Sequence, residues 1–157
     1  MGLRFSKSTK KAVLVSAALA FVIGCGAALM PVSTPAVARE AVVYKNPSCG
    51  CCKGWATYLQ RNGYKVTVIE REDMDKVKDE MGVPEPLRSC HTAKIDGAVV
   101  EGHVPLEAIE KFLSEPRKAK GLASPGMPSG SPGMDGPKEP NPIYTFGASG
   151  QKLFGTY

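Results

Sequence analysis

The sequence lacks a basic stripe. Its 157 residues carry a formal charge of +5, but four of the Lys/Arg and none of the acids fall in residues 1–38, so the remainder stands at +1. Nothing is left to track a phosphate backbone, which excludes a nucleic-acid partner. Histidine is nearly absent: His91 and His103 are the only two. Cysteine is scarce as well, with Cys49, Cys51, Cys52 and Cys90 following a lone Cys25. Three of those four lie within four positions, where disulfides would close tiny loops and add little stability. A structural disulfide framework therefore explains the spacing poorly. Metal ligation or redox work explains it better.

Charge is missing altogether from Ala12 to Met30, an apolar run preceded by Arg4, Lys7, Lys10 and Lys11. Ala36-Val37-Ala38 follows it with the small-x-small pattern of a signal-peptidase site. We expect residues 1–38 to be a signal peptide cleaved after Ala38, leaving Arg39–Tyr157 as one small exported, periplasmic domain with one core. Two alternatives remain. Val22-Ile23-Gly24-Cys25 resembles a bacterial lipobox, which would lipidate Cys25, and the apolar run is just long enough for an uncleaved anchor. A membrane partner is expected only in those two cases.

What is present centres on Tyr44-Lys45-Asn46-Pro47-Ser48-Cys49-Gly50-Cys51-Cys52. Ala41–Tyr44 predicts a buried strand, and Asn46, Pro47, Ser48 and Gly50 end it in an open turn. Trp55, Tyr58 and Leu59 predict a helix over Cys51–Asn62, stopped by Asn62-Gly63. Its first turn would aim unpaired N–H groups at the sulfurs and favour thiolate. A strand is expected at Tyr64–Glu70. A short helix from about Asp73 should place Met74, Val77 and Met81 in the core and end at Gly82. Asp96-Gly97 suits a type I′ turn between strands Cys90–Ile95 and Ala98–Glu101. Pro105 opens a last helix, Leu106–Leu113. The fold class is α/β, in the thioredoxin/glutaredoxin order β-α-β-α-β-β-α, expected over residues 39–116. Residues 117–157 read as a Pro/Gly-rich, Met-containing extended, wrapping or mobile loop. Within it Ser124-Pro125-Gly126-Met127 recurs as Ser131-Pro132-Gly133-Met134. A terminal hairpin, Ile143–Phe146 with Lys152–Tyr157, would pack on the domain.

The chemistry follows from the sulfurs. Cys49 and Cys52 have the spacing of a redox Cys-x-x-Cys, yet a simple oxidoreductase has no use for Cys51. A Cys51–Cys52 disulfide between neighbours would be strained. Thiolates converging from one loop suit soft cations, with Cu(I) the leading candidate, Cu(II) accessible by cycling, and zinc a weaker third. Aligned on the hairpin, Cys90-His91 stands where a glutaredoxin has its cis-proline dipeptide, so a fourth thiol should face the other three. His103 and His91 are expected to complete or gate the site. Met127 and Met134 offer thioethers for capture or handover of Cu(I), or else plug the tail to the domain.

Taken with Ser89-Cys90-His91-Thr92-Ala93, Val100-Glu101-Gly102-His103-Val104-Pro105 and Gly121-Leu122-Ala123-Ser124-Pro125-Gly126-Met127-Pro128, the cysteine turn resembles a family of small exported bacterial proteins. These are thioredoxin-like metal-binding proteins, long a domain of unknown function, some of them active in copper resistance. The resemblance implies metal-site cysteines at Cys49, Cys51, Cys52 and Cys90, copper handling in the cell envelope, and other envelope copper-resistance proteins as partners. It leaves sequestration, transfer and redox conversion open. A thiol–disulfide oxidoreductase using Cys49 and Cys52, and a zinc-stabilised interaction module, are the rivals. The reading adopted is copper binding, leaning away from catalysis, with oxidoreductase activity toward copper or thiols left open.

Overall fold

A computed structural model describes residues 2, 38–116 and 119–157. The expected signal peptide, the lipobox at Cys25 and the uncleaved anchor therefore fall on positions almost wholly outside the described residues. Among the described residues no helix is long and apolar enough to cross a membrane. The chain divides into Met1–Pro35 and Ala36–Tyr157, and every described element belongs to the second unit.

In chain order the elements are β1 (Glu40–Lys45), α1 (Gly50–Arg61), β2 (Lys65–Glu70), α2 (Met74–Met81), a 3-10 turn Glu85–Leu87, β3 (His91–Ile95), β4 (Ala98–Glu101), α3 (Leu106–Ser114), β5 (Gly121–Ala123), β6 (Pro142–Phe146) and β7 (Lys152–Thr156). The local signals act where the sequence puts them. Asn62 caps α1, and Gly63 follows with φ +86°. Gly82 caps α2 in the left-handed conformation, two residues before Pro84. Asp96 and Gly97 both take positive φ, as a type I′ turn requires.

All seven strands join one mixed sheet, ordered β2-β1-β3-β4-β5-β6-β7. β1 pairs parallel with β2 and β4 with β5, and the other neighbours are antiparallel. One face carries Ala41, Val43, Ala93, Ile95, Ala98, Val100, Leu122 and Ile143, packed with Trp55 and Leu59 of α1 and Ile109 and Phe112 of α3. The other carries Val99, Ala123 and Phe146, packed with Val77 and Met81 of α2. Strand alternation sends Val99 and Val100 to opposite faces, which is why β4 is apolar at successive positions.

The tail differs from the expectation of a loop with a hairpin laid on the domain. β5 lies beside β4 in the same sheet, and Leu122, Ala123, Ile143 and Phe146 are fully buried in the two cores. The tail is part of the fold, because a strand that satisfies both sheet edges and both cores outweighs the low propensity of its Gly-rich surroundings.

Candidate metal centre

Sheet register alone brings four chain segments to one place. β3 runs antiparallel to β1 with His91 opposite Lys45, so Cys90 arrives where β1 ends and the cysteine turn begins. Thr92 pairs with Glu101, setting the Gly102-His103 exit of β4 beside that entry. Ala123 lies opposite Glu101 in the parallel β4–β5 pair, so the chain from Ser124 leaves at the same end.

The turn into α1 is pinned from below. The buried Lys45 ammonium donates to the carbonyls of Asn46 (2.9 Å) and Pro47 (3.2 Å) and to Glu70 Oε1 (3.1 Å). Asn46 Oδ1 accepts from the Ser48 N–H at 3.0 Å. Cys49 is the N-cap of α1, its Sγ receiving the Cys52 N–H at 3.3 Å, so the helix end does point at a sulfur.

The four sulfurs gather as expected, with one pair oxidised. Cys49 and Cys52 are joined by a disulfide, while Cys51 and Cys90 are free thiols. Cys51 Sγ lies 3.5 Å from Cys49 Sγ and 3.9 Å from Cys90 Sγ. Cys52 Sγ is 3.7 Å from the Cys90 carbonyl oxygen. All four sulfurs lie within 4.8 Å of one another. Two sulfurs bound to one ion at tetrahedral angle and about 2.3 Å would stand about 3.8 Å apart. The two spacings from Cys51 lie near that figure, and reducing the disulfide would supply two more thiols. The donor set is soft and suits thiophilic ions such as Cu(I) and Zn²⁺.

Both histidines join this cluster. Cys90, His91 and His103 form a second set of donors within 4.8 Å of one another. The ring nitrogen His103 Nδ1 donates to the Pro132 carbonyl at 2.8 Å, which leaves the lone pair on Nε2, 3.0 Å from Cys90 Sγ. The Cys90 thiol donates to it. Burial, with the neighbouring Cys51 sulfur, pushes Cys90 up to about 11. Burial also lowers His103, so the pair rests as thiol and neutral imidazole rather than as an ion pair. Thiolate is thus not the resting form of Cys90, which lies outside the helix-end turn.

His91 has its Nδ1 3.7 Å from Cys90 Sγ, so strand alternation does not carry it away from its neighbour. Its ring lies between Trp55, 4.5 Å away centre to centre, and His103, 4.9 Å away and edge-on. Its Nε2 is buried without a hydrogen-bond partner. Burial, then the charges of His103 and Lys78, hold His91 well below the ordinary histidine range. A neutral buried imidazole with a spare nitrogen is a ligand in waiting. Trp55 itself is fully buried and donates its indole N–H to the Val104 carbonyl at 3.0 Å.

The repeated tetrapeptide straps the site. In its first copy the Gly126 carbonyl accepts from Ser89 Oγ at 2.6 Å, beside Cys90. In its second, Pro132 holds His103 and Gly133 backs onto Gly54 so closely that a Cβ there would meet Trp55 N at 2.5 Å and Cys51 O at 2.8 Å. Met134 lines an open cleft with Gly50, Cys51, Gly54 and Asp135. Met127 is on the surface, 58% exposed. The second methionine therefore shares a cleft with Cys51, while the first lies on the surface.

Residue-by-residue reading misses Lys45, Lys78, Ser89 and Glu101, which hold the site without offering a donor to it. Lys78 leaves a signal: it falls at helical spacing on the apolar stripe of Met74, Val77 and Met81, where a solvated lysine has no place.

Comparison with known proteins finds similar chains. The family model described as "Protein of unknown function, DUF411" matches residues 87–134, the stretch holding Cys90, both histidines and the strap. Two solved structures titled as copper resistance protein copG, forms 2 and 1, are each 40% identical to this chain. The first is matched with a TM-score of 0.72 over 76% of this chain and 98% of the other. The second has a TM-score of 0.71 over 75% and 96%. No curated protein matches the chain.

Proposed function

The chain belongs to the family of copper resistance protein copG, and from that membership we propose that it is a periplasmic copper-binding protein that protects against excess copper. Its cargo is Cu(I), held as thiolate complexes by Cys49, Cys51, Cys52 and Cys90. His103 and His91 complete the site, Met134 stands at its entrance, and Met127 lies further out. Crowding of four sulfurs favours bridging of more than one ion. We read the α/β unit as thioredoxin-like, with export and cleavage after Ala38. Other envelope copper-resistance proteins are its expected partners.

The observation that carries the reading is the gathering of four cysteine sulfurs within 4.8 Å of one another, from two segments 38 residues apart, two of them free thiols and two released when the Cys49–Cys52 disulfide is reduced. The chain's own work is then plain. Lys45 fixes the turn, Glu101 and Gly102 fix the Cys90 approach, and Pro132 fixes the His103 tautomer. Loading requires electrons and proton release: the Cys49–Cys52 disulfide must be reduced by a thiol donor, and each bound sulfur gives up its proton.

One observation favours a second reading, thiol–disulfide exchange. Cys52 is fully buried while Cys49 is partly exposed, so an incoming thiolate can reach only Cys49. Anaerobic metal analysis after reduction separates the two, with a Cys51→Ser, Cys90→Ser double variant alongside. Copper bound by the wild type and lost from the double variant is the expected result. Metal-free protein whose disulfide turns over equally in both would overturn the copper reading. Preference for Zn²⁺ over Cu(I), with unfolding on chelation, would replace it with the zinc module.

A further inference from the structure

We propose that Glu101 is a positioning residue that clamps the Cys90-His91 dipeptide at the metal centre, with Lys78 as its counter-ion. The proposal rests on the reading of Cys90 as a ligand, and deepens it.

Glu101 is fully buried and sits at the end of β4. Its Oε1 accepts from Lys78 Nζ at 2.6 Å and from the Ser89 N–H at 2.7 Å. Its Oε2 accepts from the Thr92 hydroxyl at 2.6 Å, and Lys78 Nζ also donates to that hydroxyl at 3.1 Å. Ser89 and Thr92 flank Cys90-His91, so one carboxylate grips both ends of the dipeptide. The next residue continues the grip: the Gly102 N–H donates to the His91 carbonyl at 2.9 Å. Gly102 has φ +73°, and a Cβ there would meet Ser89 Cβ at 2.6 Å. The residue after it, His103, lies against Cys90. Three consecutive residues at one strand end thus hold the dipeptide and both residues that flank it.

Stability alone does not account for this choice. A buried ion pair is costly to desolvate, and well-packed apolar residues of similar volume are often as stable or more so. A carboxylate offers something they cannot, namely acceptors in a fixed plane that orient an N–H and a hydroxyl in two different segments. Thiolate–metal bonds of about 2.3 Å tolerate little displacement of Cys90 relative to Cys51, so orientation is what the site needs. Cys90 itself precedes β3, and the Ser89 N–H before it has Glu101 as its partner.

The test compares wild type with the apolar double variant Lys78→Met, Glu101→Leu. In the metal-free protein, mass spectrometry follows iodoacetamide alkylation of Cys90 and of Cys51 in the same molecule. Loss of the clamp should speed Cys90 by roughly tenfold while Cys51 changes little, whereas general loosening would speed both. After reduction, competition with a chromophoric Cu(I) chelator should show affinity weakened by about 10- to 100-fold. Wild-type alkylation selectivity and wild-type Cu(I) affinity in the folded double variant would overturn the proposal. Should that variant fail to fold, Thr92→Val decides, since it removes one of the two flanking anchors by an isosteric change. A raised Cys90:Cys51 ratio supports the clamp, and an unchanged ratio overturns it. The alkylation arm needs no metal, so a wild type that binds no Cu(I) would defeat the copper reading and leave the clamp to be judged on reactivity.

Discussion

Alanine at Gly133 should cost far more than alanine at Gly126, although the two glycines occupy equivalent places in the repeated Ser-Pro-Gly-Met segment. Both backbones are left-handed, with φ +83° and +72°. Each substitution therefore carries the same conformational penalty, about 1–2 kcal/mol. Their surroundings differ. At Gly126 a Cβ meets nothing within 4 Å, whereas at Gly133 it would meet Trp55 N at 2.5 Å, Cys51 O at 2.8 Å and Gly54 C at 3.0 Å, all of them backbone of α1. Backbone cannot swing aside as a side chain can, so overpacking adds about 1–3 kcal/mol. The expected losses are about 1–2 kcal/mol for Gly126→Ala and about 2–5 kcal/mol for Gly133→Ala. Urea unfolding of the metal-free protein by circular dichroism measures both, provided the m-value stays constant. If the strap lifts away instead, His103 loses the Pro132 carbonyl and the segment becomes open to protease before global unfolding. Equal losses in the two variants, with no new cleavage at 124–141, would refute the account of the strap as a tightly seated element.

Two further outcomes are expected. Acid should destabilise the metal-free protein through His91: its folded value lies below its unfolded one, so the unfolded chain binds more protons below about pH 6.5. Stability is then fully present above that pH and falls as the pH drops, by up to about 1.4 kcal/mol per pH unit for this one group; a flat profile between pH 7.5 and 5.5 would contradict it. Trp55→Phe removes the donor to the buried Val104 carbonyl and part of the packing against His91, and should cost about 2–4 kcal/mol in urea unfolding. A loss under about 0.5 kcal/mol would show that neither contact matters.

Much of the site is legible in the order of the residues. Three cysteines in four positions announce sulfur chemistry because no stapling role suits them. The turn formers around them place that chemistry on a strand-to-helix junction, where Cys49 does cap α1. Asn62-Gly63, Gly82 and Asp96-Gly97 end their elements because backbone sterics allow left-handed geometry there at small cost. Cys90 and His103 are legible as partners because the hairpin between them forces its two ends together.

Long-range packing settles the rest. β5 spans three residues, too few for any period to show, and exists because β4 and β6 offer it two open edges. The different places of Met127 and Met134 come from how each repeat copy meets the domain, since the Ser-Pro-Gly-Met tetrapeptides themselves are the same. Lys78 and Glu101 are 23 residues apart; Glu101 would read as solvated, and Lys78, though out of place on an apolar stripe, names no partner until the fold sets the two 2.6 Å from each other. Residue type and near neighbours were enough to determine which chemistry the chain carries and the local turns that present it. The packed sheet was needed to decide which charges are buried and how Cys90 is held, because a charge survives in the interior only where distant residues supply its partners.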